Sequence, residues 1–298
     1  MTDLVAAGPR ARVEVADEPS AAAQTLRRFL RHRAALGGLI VFCGLLLFAL
    51  GGGLLWKAGL GTDNPQFLPS SAAHPFGTDD LGHDMLALVI RGTQFSLLIS
   101  IVVALVSTVL GVTLGALAGY YGGWVDTLVD RTLELLLILP AVVVVGVMAV
   151  KFAGSWVMVA LFLGVTNWMQ LARVIRGMVF SLREKEFVQA AKALWASDVR
   201  ILIQHILPNT IDVIIVNATL TIAQAVLLEA ALSFIGLGVK PPDTSLGLLI
   251  NQTQGFLPTS HAVLFWIPLF FIVALSLSVN FIGDGLRDAL DPKGDRRR

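Results

Sequence analysis

The sequence predicts an all-α, polytopic membrane protein with six transmembrane helices. Of its 298 residues, 55% are hydrophobic and 14% are charged, whereas soluble domains run near 25% charged. A soluble core cannot absorb so much apolar surface, but a bilayer can. The apolar residues also gather in six stretches close to the roughly 20 residues that cross a hydrocarbon core. These are 34–56, 95–119, 133–152, 156–175, 211–235 and 263–282. The placement of the basic residues then gives the spans a direction.

In chain order, residues 1–25 are rich in Ala, Glu, Asp and Arg with almost no large apolar side chain, the composition of a disordered tail. They do not form a secretory signal, because a mostly polar stretch precedes a first apolar run long enough to span. The first span holds Cys43, the single cysteine, which excludes an intrachain disulfide and a cysteine metal cluster. A hydrophilic loop, 57–94, leads to the second span. The third has Arg131 and Glu134 at i, i+3 near one end, spaced for a local ion pair, and is interrupted by Pro140. The fourth is short, the fifth carries Glu229 near one end, and the sixth contains Pro268. Each of these prolines removes a backbone bond and can kink its helix, for gating or for packing. The membrane domain is taken as 26–293, followed by a tail, 294–298.

Basic residues mark the cytoplasmic side. With the N-terminus inside, only Lys57, Arg91, Lys151 and Lys240 of the 22 basic residues fall outside. Both termini are then cytoplasmic, as an even number of spans requires. Trp56, Trp124, Trp156, Trp168 and Trp266 fall near expected span ends, where amphipathic rings sit at headgroup level. Trp195 does not.

The cytoplasmic loop 176–210 carries Glu186, Lys192, Asp198, Arg200 and His205. Each charge would cost about 2.5–3.5 kcal/mol at mid-bilayer, so this stretch reads as two short amphipathic helices. Phe187, Ala190, Ala191 and Leu194 share one face of the first, and Val199, Leu202, Ile203 and Ile206 one face of the second. Ser197 is placed as the second helix's N-cap, with Asp198 in its first turn and Pro208 at its end. The apolar faces either fold back on the membrane domain or dock a cytoplasmic partner.

The run Glu186-Phe187-Val188-Gln189-Ala190-Ala191-Lys192-Ala193-Leu194-Trp195-Ala196-Ser197-Asp198, closing with Leu207-Pro208-Asn209, resembles the "EAA" coupling loop of ABC importer permeases. With His74–Asp84, Leu228–Gly238 and Gly283–Pro292 it resembles more narrowly the dipeptide, oligopeptide and nickel permease family, as a "C"-type subunit. The resemblance implies the type I importer permease fold in the bacterial cytoplasmic membrane. It also implies a heterodimer with a homologous permease, two cytoplasmic ATPase subunits or domains, and an extracytoplasmic substrate-binding protein. Transport of a peptide or related small solute follows from it, with ATP and Mg held by the ATPase partners and no cofactor on this chain. Glu186, Phe187, Gln189, Ala190, Ala191, Leu194, Trp195, Ser197, Asp198, Leu207 and Pro208 are the positions it assigns to the coupling loop. Gln189 stands where the family usually has Glu, and Trp195 where it usually has Gly. Because Trp resists a positive φ, the turn between the two helices is expected to differ.

Polar groups at membrane depth are pathway candidates. Asn217 and Gln224, seven apart on the fifth span, either line a pathway or bond a neighbouring helix. Glu229 is either a gate or pathway residue or a locally paired charge. His74 and His83 with Asp79, Asp80 and Asp84 match no standard ligand spacing, so no metal site is assigned, and this outer loop is read as a plug or a docking loop. The net charge of +1 argues against an acidic partner such as nucleic acid. No G-x-x-x-x-G-K-[ST], H-E-x-x-H or G-x-S-x-G is present, so the chain is read as non-catalytic. No His lies centrally in a span, which disfavours an intramembrane hydrolase. A self-contained ion-coupled carrier or channel would leave the coupling loop without a purpose.

Overall fold

In hydrocarbon every backbone group must be satisfied within its own segment or a closed barrel, so an apolar chain of this kind crosses as helices. The computed structural model describes residues 21–56, 61–62, 64–138, 143–144, 146–147, 151 and 155–290. Among them the secondary structure is helical apart from one isolated bridge, Thr78 with Asp84. Among the described residues five helices are long and apolar enough to cross a membrane. The expected third span enters as α4 (Gly123–Ile138); most of its remainder, Pro140 included, lies outside the described residues.

The chain is helical from Ala21, so the last residues assigned to a tail belong to α1 (Ala21–Arg31). His32 then caps α2 (Arg33–Leu55): its Nδ1 accepts from the Ala35 N–H at 3.1 Å, and its Nε2 lies 3.3 Å from Asp288. Phe29, Ala35 and Ala289 bury together at this junction of the two ends of the chain.

Helix α3 (Met85–Tyr121) starts ten residues before the expected second span. Its N-cap is Asp84, whose Oδ1 accepts from the Ala87 N–H at 2.8 Å and from the Trp56 indole at 3.2 Å. Helix α5 (Trp156–Leu182) likewise runs past the expected end of the fourth span, to Leu182. These two helices pack very closely. Gly111, Gly115 and Gly119 line one stripe of α3, and a Cβ on Gly115 would lie 2.5 Å from the Ala172 carbonyl oxygen. A Cβ on Gly119 would come within 2.6 Å of the Arg176 carbonyl oxygen. Small residues at this spacing let helix backbones approach in membranes. The longer α5 also corrects the placement of Trp168. It is buried with Ala118, Val129, Leu133 and Ala172 rather than sitting at a span end.

Arg176 ties α4 to α5. It donates to Asp126 Oδ2 at 2.8 Å and to Asp130 Oδ1 at 2.9 Å. Arg131 and Glu134 form the expected local pair at 2.6 Å, both exposed. After the loop 176–210 come α8 (Ile211–Phe234), the short helix α9 (Leu246–Thr253) and α10 (Val263–Leu290), which continues through Pro268. Apolar side chains of α2, α3, α8, α9 and α10 share one core around Leu45, Val89, Val226, Leu249 and Leu275.

Candidate functional site

The loop 176–210 folds as α6 (Glu186–Ala193) and a helical run that begins with α7 (Asp198–Ile201). From α7 the backbone passes through a π turn, Leu202–Ile206, and a 3-10 turn, Leu207–Thr210, directly into α8. Pro208 therefore does not end a separate helix. It has no N–H to offer and would clash with the carbonyl four residues back, and the change of winding accommodates it within one continuous run.

Folding back on the membrane domain accounts for part of the apolar surface, and other apolar residues stay exposed. Val188, Ala191, Ile201, Leu202 and Ile206 are buried against Tyr120, Leu171, Ile175 and Val179 of the membrane helices. Phe187, Ala190, Val199 and Ile203 are exposed, as are Leu194 at 82% and Trp195 at 94%. The folded-back face is thus centred on Val188 rather than Phe187. Glu186 and Gln189 are also exposed, and the Gln189 amide donates to the Arg183 carbonyl at 3.1 Å. Ser197 holds the N-cap position without a side-chain cap bond. Asp198 instead accepts from the Tyr120 hydroxyl at 2.7 Å, which fastens the start of α7 to the end of α3.

The turn between α6 and α7 keeps the geometry that a glycine would give it. Trp195 has φ 59°. Its N–H donates to the Lys192 carbonyl at 3.0 Å and the Ala196 N–H to the Ala191 carbonyl at 3.1 Å. Those two bonds make a Schellman motif with Trp195 in the left-handed position. The expectation of a different turn is overturned: the paired backbone bonds and the burial of Ala191 with Ala196 outweigh a left-handed cost of about 1–2 kcal/mol.

A second feature lies within the membrane domain, a cleft of about 620 Å³ between α5 and α8. Thr166, Gln170 and Arg173 line it from α5, and Asn217, Thr221 and Gln224 from α8, with Ser107 of α3 behind. The two amides singled out on the fifth span thus share one cavity. Their α5 counterparts are legible only in retrospect, as polar residues at i, i+4, i+7 within the short fourth span.

Glu229 is not part of that cleft. It is fully buried, accepting from the Ser96 hydroxyl at 3.2 Å and the Ser233 hydroxyl at 2.7 Å. In the loop that precedes α3, Asp79 and Asp84 are each committed to a neighbouring histidine. His83 Nδ1 lies 2.8 Å from Asp79 and His74 Nδ1 2.6 Å from Asp84. Among the described residues no three His, Cys, Asp or Glu side chains are grouped to hold a metal ion.

Comparison with known proteins matches residues 111–296 to the binding-protein-dependent transport system inner membrane component family. Residues 20–73 match the N-terminal TM domain of oligopeptide transport permease C. The chain is 39% identical over 273 residues to the oligopeptide transport system permease protein OppC of Mycobacterium tuberculosis, covering 90% of this chain and 93% of that one. It is 39% identical over 272 residues to OppC of Escherichia coli, covering 90% and 89%. By the length and continuity of these matches, and by its bundle of membrane-crossing helices, the chain belongs to the family of inner membrane components of binding-protein-dependent transport systems.

Proposed function

We propose that this chain is one of two permease subunits of an ATP-driven peptide importer, and that residues 186–208 couple it to cytoplasmic ATPase subunits. The observation that carries this reading is the division of the loop into two faces. One face is anchored on Tyr120, Ile175 and Val179. The other leaves Leu194, Trp195, Val199 and Ile203 exposed, which in water is the mark of an interaction surface. The anchored face moves with α3 and α5, so a partner that pulled on the exposed face would move the spans as rigid bodies. The relatives named as oligopeptide permeases supply the solute class. ATP and Mg would sit on the partner subunits and hydrolysis would be theirs, while an extracytoplasmic binding protein would deliver the peptide. In this reading the cleft between α5 and α8 is a wall of the pathway, completed by the second permease, and both termini lie in the cytoplasm. Co-expression tests it. The chain should co-purify with a second permease and ATPase subunits, and alone it should not hydrolyse ATP. Robust hydrolysis by the isolated chain would contradict it.

A further inference from the structure

The cleft between α5 and α8 has an electrostatic character that its role as a pathway wall does not by itself require. Thr166, Gln170 and Arg173 stand at i, i+4 and i+7 on α5, and Asn217, Thr221 and Gln224 repeat that spacing on α8. Each set is one face of its helix. Most of the hydroxyl and amide donors are already committed locally. Thr166 donates to the Leu163 carbonyl at 3.0 Å, Asn217 to that of Val213 at 2.9 Å and Thr221 to that of Asn217 at 2.8 Å. The Gln170 and Gln224 side chains have no hydrogen-bond partner among the described residues. Neither Asp nor Glu is among the cleft's lining residues, and among the described residues no carboxylate lies within ion-pair distance of Arg173. By contrast Arg176, one turn further along, is saturated by Asp126 and Asp130. Arg173 lies nine residues from the end of α5, about 13 Å along its axis. The cleft therefore presents one uncompensated guanidinium toward its cytoplasmic end, with free amides beside it.

A cation at membrane depth is costly unless something pairs with it. A guanidinium offers a planar fork of N–H donors that matches a carboxylate. At about 620 Å³ the cleft is within the range of small-molecule sites. Resting on the reading of this chain as an importer permease, we infer that the cleft is a transit site for a solute bearing a carboxylate. Arg173 receives that carboxylate as the solute passes toward the cytoplasm. The amides of Gln170, Asn217 and Gln224 bond the remainder of a polar backbone without selecting side chains.

The test uses the whole importer, reconstituted in proteoliposomes, with labelled trialanine and its C-terminal amide as solutes. Uptake is scored per ATP hydrolysed. Arg173→Gln should lower trialanine uptake roughly tenfold while changing uptake of the amide less than about twofold. Arg173→Lys, which keeps the charge and loses the fork, should fall between parent and Arg173→Gln for trialanine. Equal losses for both solutes would overturn the transit site and make Arg173 a contact of the second permease or of lipid. Unchanged uptake of both would overturn it as well. If the amide is too poor a solute for the parent, the acid decides alone: a loss that Lys recovers in part supports the site, and one that Lys leaves unchanged overturns it. If Arg173→Gln does not assemble, Arg173→Lys must still lower trialanine more than amide. A parent complex that assembles and hydrolyses ATP but moves no trialanine would instead contradict the peptide importer reading, and the transit site with it.

Discussion

Ser96 of α3 and Glu229 of α8, 133 residues apart in the chain, share a buried hydrogen bond of 3.2 Å. Ser96 also accepts from the Leu246 N–H at 3.1 Å, at the start of α9. Ser233 donates to Glu229 and accepts from the Val239 N–H at 3.2 Å. One carboxyl group thereby holds two spans and both ends of the loop 239–246 together. Glu229→Ala would leave a cavity and deprive two hydroxyls of their acceptor, and it should destabilise the fold by about 2–4 kcal/mol. Glu229→Gln keeps the shape and one acceptor and should cost less than about 1.5 kcal/mol. Thermal unfolding of the purified complex in detergent compares them. If neither variant melts earlier than the parent, the residue does not tie these elements.

The α3–α5 contact depends on the absence of side chains at Gly115 and Gly119. Gly115→Leu would drive a side chain into the Ala172 backbone, where even a Cβ would sit at 2.5 Å. Overpacking of this kind costs about 1–3 kcal/mol or more. Gly37 has no heavy atom within 4 Å of its Cβ position, so Gly37→Leu should be tolerated. Membrane-inserted yield of the two variants should diverge sharply; similar yields would mean that the helices pack less closely.

Trp195 should show opposite signs in two assays. Trp195→Gly removes the left-handed strain and should raise loop stability by about 1 kcal/mol, seen as slower hydrogen exchange at Ala196 and Leu194. If the ring docks in the ATPase subunit, the same variant should lose a large apolar contact and respond less to the loaded binding protein. Trp195→Ala should lose the response with no gain in stability. Transport and hydrolysis like the parent in both variants would place the ring outside the joint.

Much of this architecture was legible because α2 and α8 coincide closely with apolar runs and α10 begins where its run begins. Where the reading fell short, single polar residues broke the runs. Arg91 and Gln94 hid the first turns of α3, although Asp84 is a good N-cap, and Arg176 closed the expected fourth span seven residues before Leu182, the end of α5. That second error moved Trp168 to an interface it does not occupy. In α6, apolar residues surround most of the helix, so periodicity could not choose between Phe187 and Val188 as the buried side. Ser233 stands at i+4 from Glu229 on one helix, but the contact of Glu229 with Ser96, 133 residues away, is a tertiary fact that no local pattern carries.

The orientation argued from the basic residues is checked by cysteine labelling in a Cys43→Ala background. Ser71→Cys in the outer loop should react with an impermeant reagent in intact cells, and Lys185→Cys should react only after permeabilisation; both positions are exposed. Outside labelling at 185 would invert the topology.

Val199 and Ile203 test the coupling surface most directly. They are exposed one turn apart and away from the face that packs on Tyr120 and Ile175. The double variant Val199→Glu/Ile203→Lys adds an i, i+4 pair that supports the helix, leaves the net charge unchanged, and makes the outward face polar. Co-purification of the ATPase subunits, followed by ATP-driven uptake in proteoliposomes, is the measurement. A coupling loop predicts a normal yield of the permease pair, loss of the ATPase subunits and uptake reduced at least about tenfold. ATPase subunits that stay bound, with uptake equal to the parent's, would contradict it.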